Sequence, residues 1–147
     1  MTLSAEYDPD NIFAKIIRGE IPAIRVFEDN VALAFMDIFP QSEGHTLVIP
    51  KKQGATNFLD AEPEDLSQLI TRVQKVTRGV ITALQPDGAR IVQFNGAPAG
   101  QTVFHLHFHI IPIYEGEALK RHAGEKADMA HLERIGGKIR AALAAAR

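Results

Sequence analysis

Apolar and polar residues alternate along this chain with two different periods, and the change of period marks the elements. Ile12, Phe13, Ile16 and Ile17 recur at helical spacing, which predicts a short helix that Asp10 caps and Gly19 ends. "AIRVFE" and "VALAFMD" then read as strands separated by Asp29-Asn30, residues that tolerate a tight turn. "HTLVIP" reads as a third, buried strand that Pro50 stops. From Glu62 to Leu84 the positions Leu66, Leu69, Ile70, Val73, Val76, Val80 and Leu84 form one stripe of a long amphipathic helix. Pro63 suits its first turn, and Pro86-Asp87-Gly88 breaks it. "ARIVQF" and "VFHLHFHII" are a fourth and a fifth strand, joined by the small-residue loop "NGAPAGQ". Helical spacing resumes in "DMAHLERIGGKIRAALAAAR", although Gly136-Gly137 weaken its middle.

Consecutive strands with short connections predict an α+β domain, an antiparallel sheet of about five strands with helices on one face. The expected helices are one short, one long and one C-terminal. No repeat, low-complexity tract or linker divides the chain. The expectation is a single domain over 1–147, with a core at about 11–113 and a helical extension at about 127–146.

Composition changes this picture by exclusion. With 147 residues, 46% apolar and 23% charged, the chain can bury a real core. A net charge of −2 gives no general attraction to nucleic acid or to an anionic membrane, so any bound phosphate must be held locally. The absence of cysteine excludes disulfides and thiolate metal sites. "MTLSAEYDPD" lacks the basic and apolar regions of a secretory signal, and no apolar run approaches the roughly 20 residues of a membrane span. The expectation is a cytoplasmic protein.

The candidate chemistry lies in "FHLHFHIIP", which holds three of the six histidines at alternate positions: His105, His107 and His109. On a strand these rings share one face, while Phe104, Leu106, Phe108 and Ile110 form an apolar opposite face. Three readings compete: histidines merely satisfied on a half-exposed sheet, a metal site, or catalysis on a phosphate. Two histidines at i and i+2 can share a zinc ion, and His45 could join them. The third ring is harder to bring in, because the ends lie roughly 13 Å apart on a straight strand. Imidazole can instead attack phosphorus while its neighbours hold anionic oxygens. The preceding "NGAPAGQTV" favours that reading: Gly96 and Gly100 allow close backbone approach, and Gln101 and Thr102 add side-chain donors. His122 and His131 read as surface residues.

"AGQTVFHLHFHIIP" resembles the signature of the histidine-triad (HIT) superfamily, H-φ-H-φ-H-φ-φ with φ apolar, and matches it at every position. "IFAKIIRGEIPA" and "VFEDNVALAFMDIFPQSEGHTLVIPKK" are similar to the Hint branch, so that the resemblance runs from about Asn11 to Pro112. It implies a HIT-like fold and a homodimer whose sheet continues across the interface. It implies a hydrolase or transferase acting on the α-phosphate of nucleotides, with neither cofactor nor metal. His107 would be the nucleophile, His109 would contact a phosphate oxygen, His105 would support the site, and His45 would be a further active-site histidine. Asn95, Gly100, Gln101 and Thr102 would lie on the phosphate side and Asp37 would take the ribose hydroxyls. Phe13, Ile16, Phe35 and Ile38 would surround the base. Two positions depart from the pattern: Phe94 stands where many Hint members carry asparagine, and Ile113 where many bacterial members carry arginine. The implied substrate is a purine nucleoside phosphoramidate or related conjugate. Alternatives are a dinucleoside polyphosphate, as in the Fhit branch, or a nucleotide-binding scaffold without catalysis.

Overall fold

The computed structural model describes Leu3 and residues 5–146; Met1, Thr2, Ser4 and Arg147, the outermost parts of the expected 1–147 domain, lie outside the described residues. Five antiparallel strands form one sheet: β1 (Arg25–Glu28), β2 (Ala32–Met36), β3 (Thr46–Pro50), β4 (Gly88–Val92) and β5 (Phe108–Ile113), in the order β1-β2-β3-β5-β4. Three α-helices accompany them: α1 (Ile12–Ile17), α2 (Pro63–Leu84) and α3 (Met129–Ala145). Among the described residues no helix is long and apolar enough to cross a membrane.

The alternation of side chains divides the central strands between two cores. Ala32, Ala34, Met36, Val48, Phe108 and Ile110 pack against α2 and α3. Leu33, Phe35, Leu47 and Ile49 pack on the other side against Phe13 and Ile16 of α1. The expectation of helices on one face therefore holds for α2 and α3 but not for α1. This short helix lies on the opposite face, against β2 and β3. Asn11, rather than Asp10, caps α1, its side-chain oxygen accepting from the Ala14 N–H at 2.9 Å.

On α2, Leu69, Val73, Val76 and Val80 are buried. Ile70, expected in that stripe, is 48% exposed, because a contact seam of alternating three- and four-residue steps passes it by. Gly136, which seemed only to weaken α3, has a packing role: a Cβ there would come within 2.7 Å of Ile24 Cγ2 on the sheet side. Its small size lets α3 lie close to the sheet.

β5 begins at Phe108, not at Val103, so His105 and His107 precede the strand and only His109 sits within it. After β5 the chain runs without regular structure from 114 to 128 and folds back along residues 38–41. The Lys120 N–H donates to the Gln41 carbonyl at 2.8 Å, and the Ala127 N–H to the Ile38 carbonyl at 2.9 Å. These two bonds fasten the return segment to the stretch that follows β2.

Candidate active site

A cavity of about 420 Å³ opens on the α1 face, lined by Phe13, Ile16, Phe35, Asp37, Ile38, Thr102, His107 and His109 among others. Eight residues singled out in the sequence thus meet in one place. Its apolar end is made by α1 and β2; its polar end is made by the histidines.

The hydrogen bonds fix the tautomer of each ring. A backbone carbonyl can only accept, so His105 Nε2–H donates to the Pro50 carbonyl at 3.0 Å, and Tyr7 Oη–H donates to His105 Nδ1 at 2.7 Å. His105 is completely buried and fully partnered, and lies behind the cavity wall. Burial lowers its pKa to about 4. Its own carbonyl accepts from His107 Nδ1–H at 2.7 Å. That bond leaves the Nε2 lone pair of His107 as the free, nucleophilic nitrogen. Burial also lowers the pKa of His107, which keeps the ring neutral.

A second chain of bonds starts at the backbone. The Gln41 N–H donates to His45 Nδ1 at 3.0 Å, so neutral His45 carries its proton on Nε2. That nitrogen lies 2.9 Å from His109 Nδ1 and 3.4 Å from Asp37 Oδ2. His109 must therefore accept at Nδ1 and carry its proton on Nε2, a buried atom with no partner within the protein. Burial pushes His109 down to about 2, helped by the neighbouring rings; it also lowers His45, against the pull of Asp37. The site thus pairs a lone pair on His107 with an N–H on His109, on rings whose centres are 5.0 Å apart.

Asp37, His45 and His109 also place one donor atom each within 4.8 Å of one another, close enough in principle for a cation. The donor set does not fit one well. The nitrogens of His45 and His109 that face each other share a proton, and a metal would have to displace it.

Other expectations are revised. The side chain of Gln101 is turned inward: its Oε1 accepts from the Gly96 N–H, and its Nε2 donates to the carbonyls of Thr56 and Val103. The N–H groups of Ala99, Gly100 and Gln101 also bond within the loop. Gly96 and Gly100, at φ +91° and +112°, make this tight loop possible. The N–H groups of Gly96, Ala99, Gly100 and Gln101 are thus taken up within the loop and do not cradle an anion. Asn95 faces away from the cavity, bonded to Gln93 and to the Phe58 N–H. Thr102 is the loop's polar side chain on the cavity. Asp37 keeps Oδ1 on the Phe39 N–H at 2.8 Å, which orients its carboxylate.

The sequence reading missed His122. It is half-buried rather than merely a surface residue: the return segment brings its ring into the cavity wall, 5.5 Å from the centre of His109 and 5.3 Å from Phe94. No local pattern signalled this, because a non-repetitive segment places it there. His131, by contrast, lies at the surface as expected, half-exposed and paired with Glu43 at 2.7 Å.

Five antiparallel strands, a buried histidine triad and an apolar groove beside it are the features of one protein class, and the comparisons agree. The HIT domain family pattern matches residues 18–116, and the chain belongs to this family. Adenosine 5'-monophosphoramidase hnt1 of Schizosaccharomyces pombe is 43% identical over 101 residues, 69% of this chain and 72% of the relative. Adenylylsulfatase HINT3 of Arabidopsis thaliana is 35% identical over 126 residues, 82% of this chain and 64% of the relative. The crystal structure of a Hit-like protein involved in cell-cycle regulation from Bartonella henselae, with an unknown ligand, superposes with a TM-score of 0.88 at 52% identity. The match covers 94% of this chain and 99% of that one.

Proposed function

We propose that this protein hydrolyses a purine nucleoside phosphoramidate or a related nucleotide conjugate at the α-phosphate, through a nucleotidyl intermediate on His107. The observation that carries the reading is the tautomer of His107: its Nδ1–H is held by the His105 carbonyl, so Nε2 presents a lone pair to the cavity. The names of the two enzymes among its relatives support the same class of reaction.

In the first step His107 Nε2 attacks phosphorus and the bond to the leaving group breaks. The electron pair departs on the leaving atom, which takes a proton from solvent. In the second step water attacks phosphorus, a nucleoside monophosphate leaves, and the His107 lone pair is restored. Splitting one displacement into two lowers each barrier. His109 Nε2–H donates to a phosphate oxygen, and Thr102 supplies a hydroxyl beside it. Asp37 accepts from the ribose hydroxyls, and Phe13, Ile16, Phe35 and Ile38 enclose the base. His105 and His45 act behind the cavity by fixing the tautomers of His107 and His109.

The proposal includes a homodimer joined through β4. This strand is an open edge of the sheet with Ile91 43% exposed, and a second copy would pair with it. Rapid quench of adenosine 5'-phosphoramidate turnover tests the mechanism. A nucleotidyl adduct mapping to His107 is expected; turnover with no adduct at that position would replace the covalent route by direct attack of water.

A further inference from the structure

Among the described residues two buried side-chain polar atoms have no hydrogen-bond partner, and both belong to rings of the same cavity wall: His109 Nε2 and His122 Nδ1. Buried polar atoms without partners are rare in native proteins, and each calls for an occupant. Their characters are opposite. His109 Nε2 carries a proton, by the chain of bonds that starts at Gln41. His122 Nε2–H donates to the Gly100 carbonyl at 3.2 Å, so the neutral ring has its lone pair on Nδ1. The two rings, whose centres are 5.5 Å apart, therefore offer one donor and one acceptor.

A phosphoryl group offers only acceptor oxygens. These suit His109 Nε2–H and the Thr102 hydroxyl, but they cannot satisfy the lone pair of His122. What can satisfy it is an N–H on the atom bonded to phosphorus. Building on the proposed hydrolase, we infer that His122 determines leaving-group specificity: its Nδ1 accepts a hydrogen bond from the departing nitrogen of a phosphoramidate. The same lone pair disfavours an oxygen leaving atom, which has no hydrogen to give and brings lone pairs of its own. His122 transfers no proton in this role. It orients the P–N bond and makes the nitrogen more basic, so that it takes up its proton from solvent as the bond to phosphorus breaks. The return segment holds the ring in place through the Lys120–Gln41 and Ala127–Ile38 backbone bonds. Phe94 packs against both rings, its centre 5.3 Å from that of His122 and 5.3 Å from that of His109.

A site built around a hydrogen bond discriminates strongly against a substrate that cannot make it. The test is kcat/KM for adenosine 5'-phosphoramidate and for adenylyl sulfate, in the unaltered protein and in His122→Phe and His122→Asn. Phenylalanine keeps the ring but lacks the acceptor; asparagine restores an acceptor oxygen. His122→Phe should lower the ratio of nitrogen-linked to oxygen-linked efficiency about tenfold, the scale of one lost hydrogen bond, and His122→Asn should recover part of it. An equal fall on both substrates, or no change on either, would overturn the role of His122 and leave the hydrolase reading standing. Failure of the unaltered protein to turn over either substrate would overturn both.

Discussion

The two faces of the sheet solve opposite problems with the same strands. Toward α2 and α3, β5 sends Phe108 and Ile110 into a dry core in which Val48, Val76 and Val80 are fully buried. Toward α1 the same strand sends His109, and the stretch before it sends His105 and His107, all at 6% exposure or less. One face is held together by apolar contact. The other buries four imidazoles, each of which must be kept neutral and have its ring nitrogens accounted for. The difference is that the helix face can be built from any well-packed hydrocarbon, whereas the histidine face depends on which nitrogen carries each proton.

Acid should separate the two faces most sharply. The buried rings take up protons less readily than in the unfolded chain, where the ordinary value is 6.5. Stability is therefore fully present above pH 6.5 and lost as pH falls toward about 4 for His105 and about 2 for His109. A loss on the order of 5 kcal/mol by pH 4 is expected, measured as the shift of the urea midpoint. A midpoint that stays constant between pH 7 and 4.5 would mean that the rings are not buried neutral.

Next in size, His107→Ala should lower turnover of adenosine 5'-phosphoramidate about a thousandfold or more, about 4 kcal/mol in the barrier. Calorimetry should find AMP binding nearly unchanged. Leu69→Ala cuts into the helix face instead. Its side chain is 1% exposed, and the change should cost about 3 kcal/mol of stability with kcat per folded molecule intact. A large fall in kcat there would show that the faces are not independent. The smallest effect belongs to Tyr7→Phe, which leaves His105 Nδ1 without its donor. About 1 kcal/mol of stability should go, with kcat falling less than in His107→Ala; a KM that moved instead of kcat would argue against a supporting role for His105.

Much of this was legible in the sequence, because strands and long helices announce themselves by period. All five strands and α2 fall where alternation and helical spacing put them, within a few residues. β5 is the instructive exception: alternation seemed to run from Val103, yet pairing with β3 and β4 begins only at Phe108–His109. His107 Nδ1 bonds a carbonyl two residues back, a local turn that pattern alone does not separate from a strand. His107, recognised by type and spacing, and Asp37, singled out by the family resemblance, came together in the cavity. Asn95 and Gln101 did not, because which way a loop side chain points depends on partners such as Phe58 and Thr56, far away in sequence. His122 was invisible for the same reason, since only the docking of residues 114–128 on residues 38–41 brings it in.

The bond from the Gln41 N–H to His45 has a consequence for inheritance. The direction in which protons are arranged along His45 and His109 is decided by the peptide backbone, not by the identity of the residue at that position. For this bond the side chain matters only through proline, which has no N–H to give; the Gln41 amide itself answers to a separate partner, the Lys120 carbonyl at 3.1 Å. A backbone constraint of this kind outlasts changes of letter, and its own mark on selection is the lasting exclusion of a single amino acid.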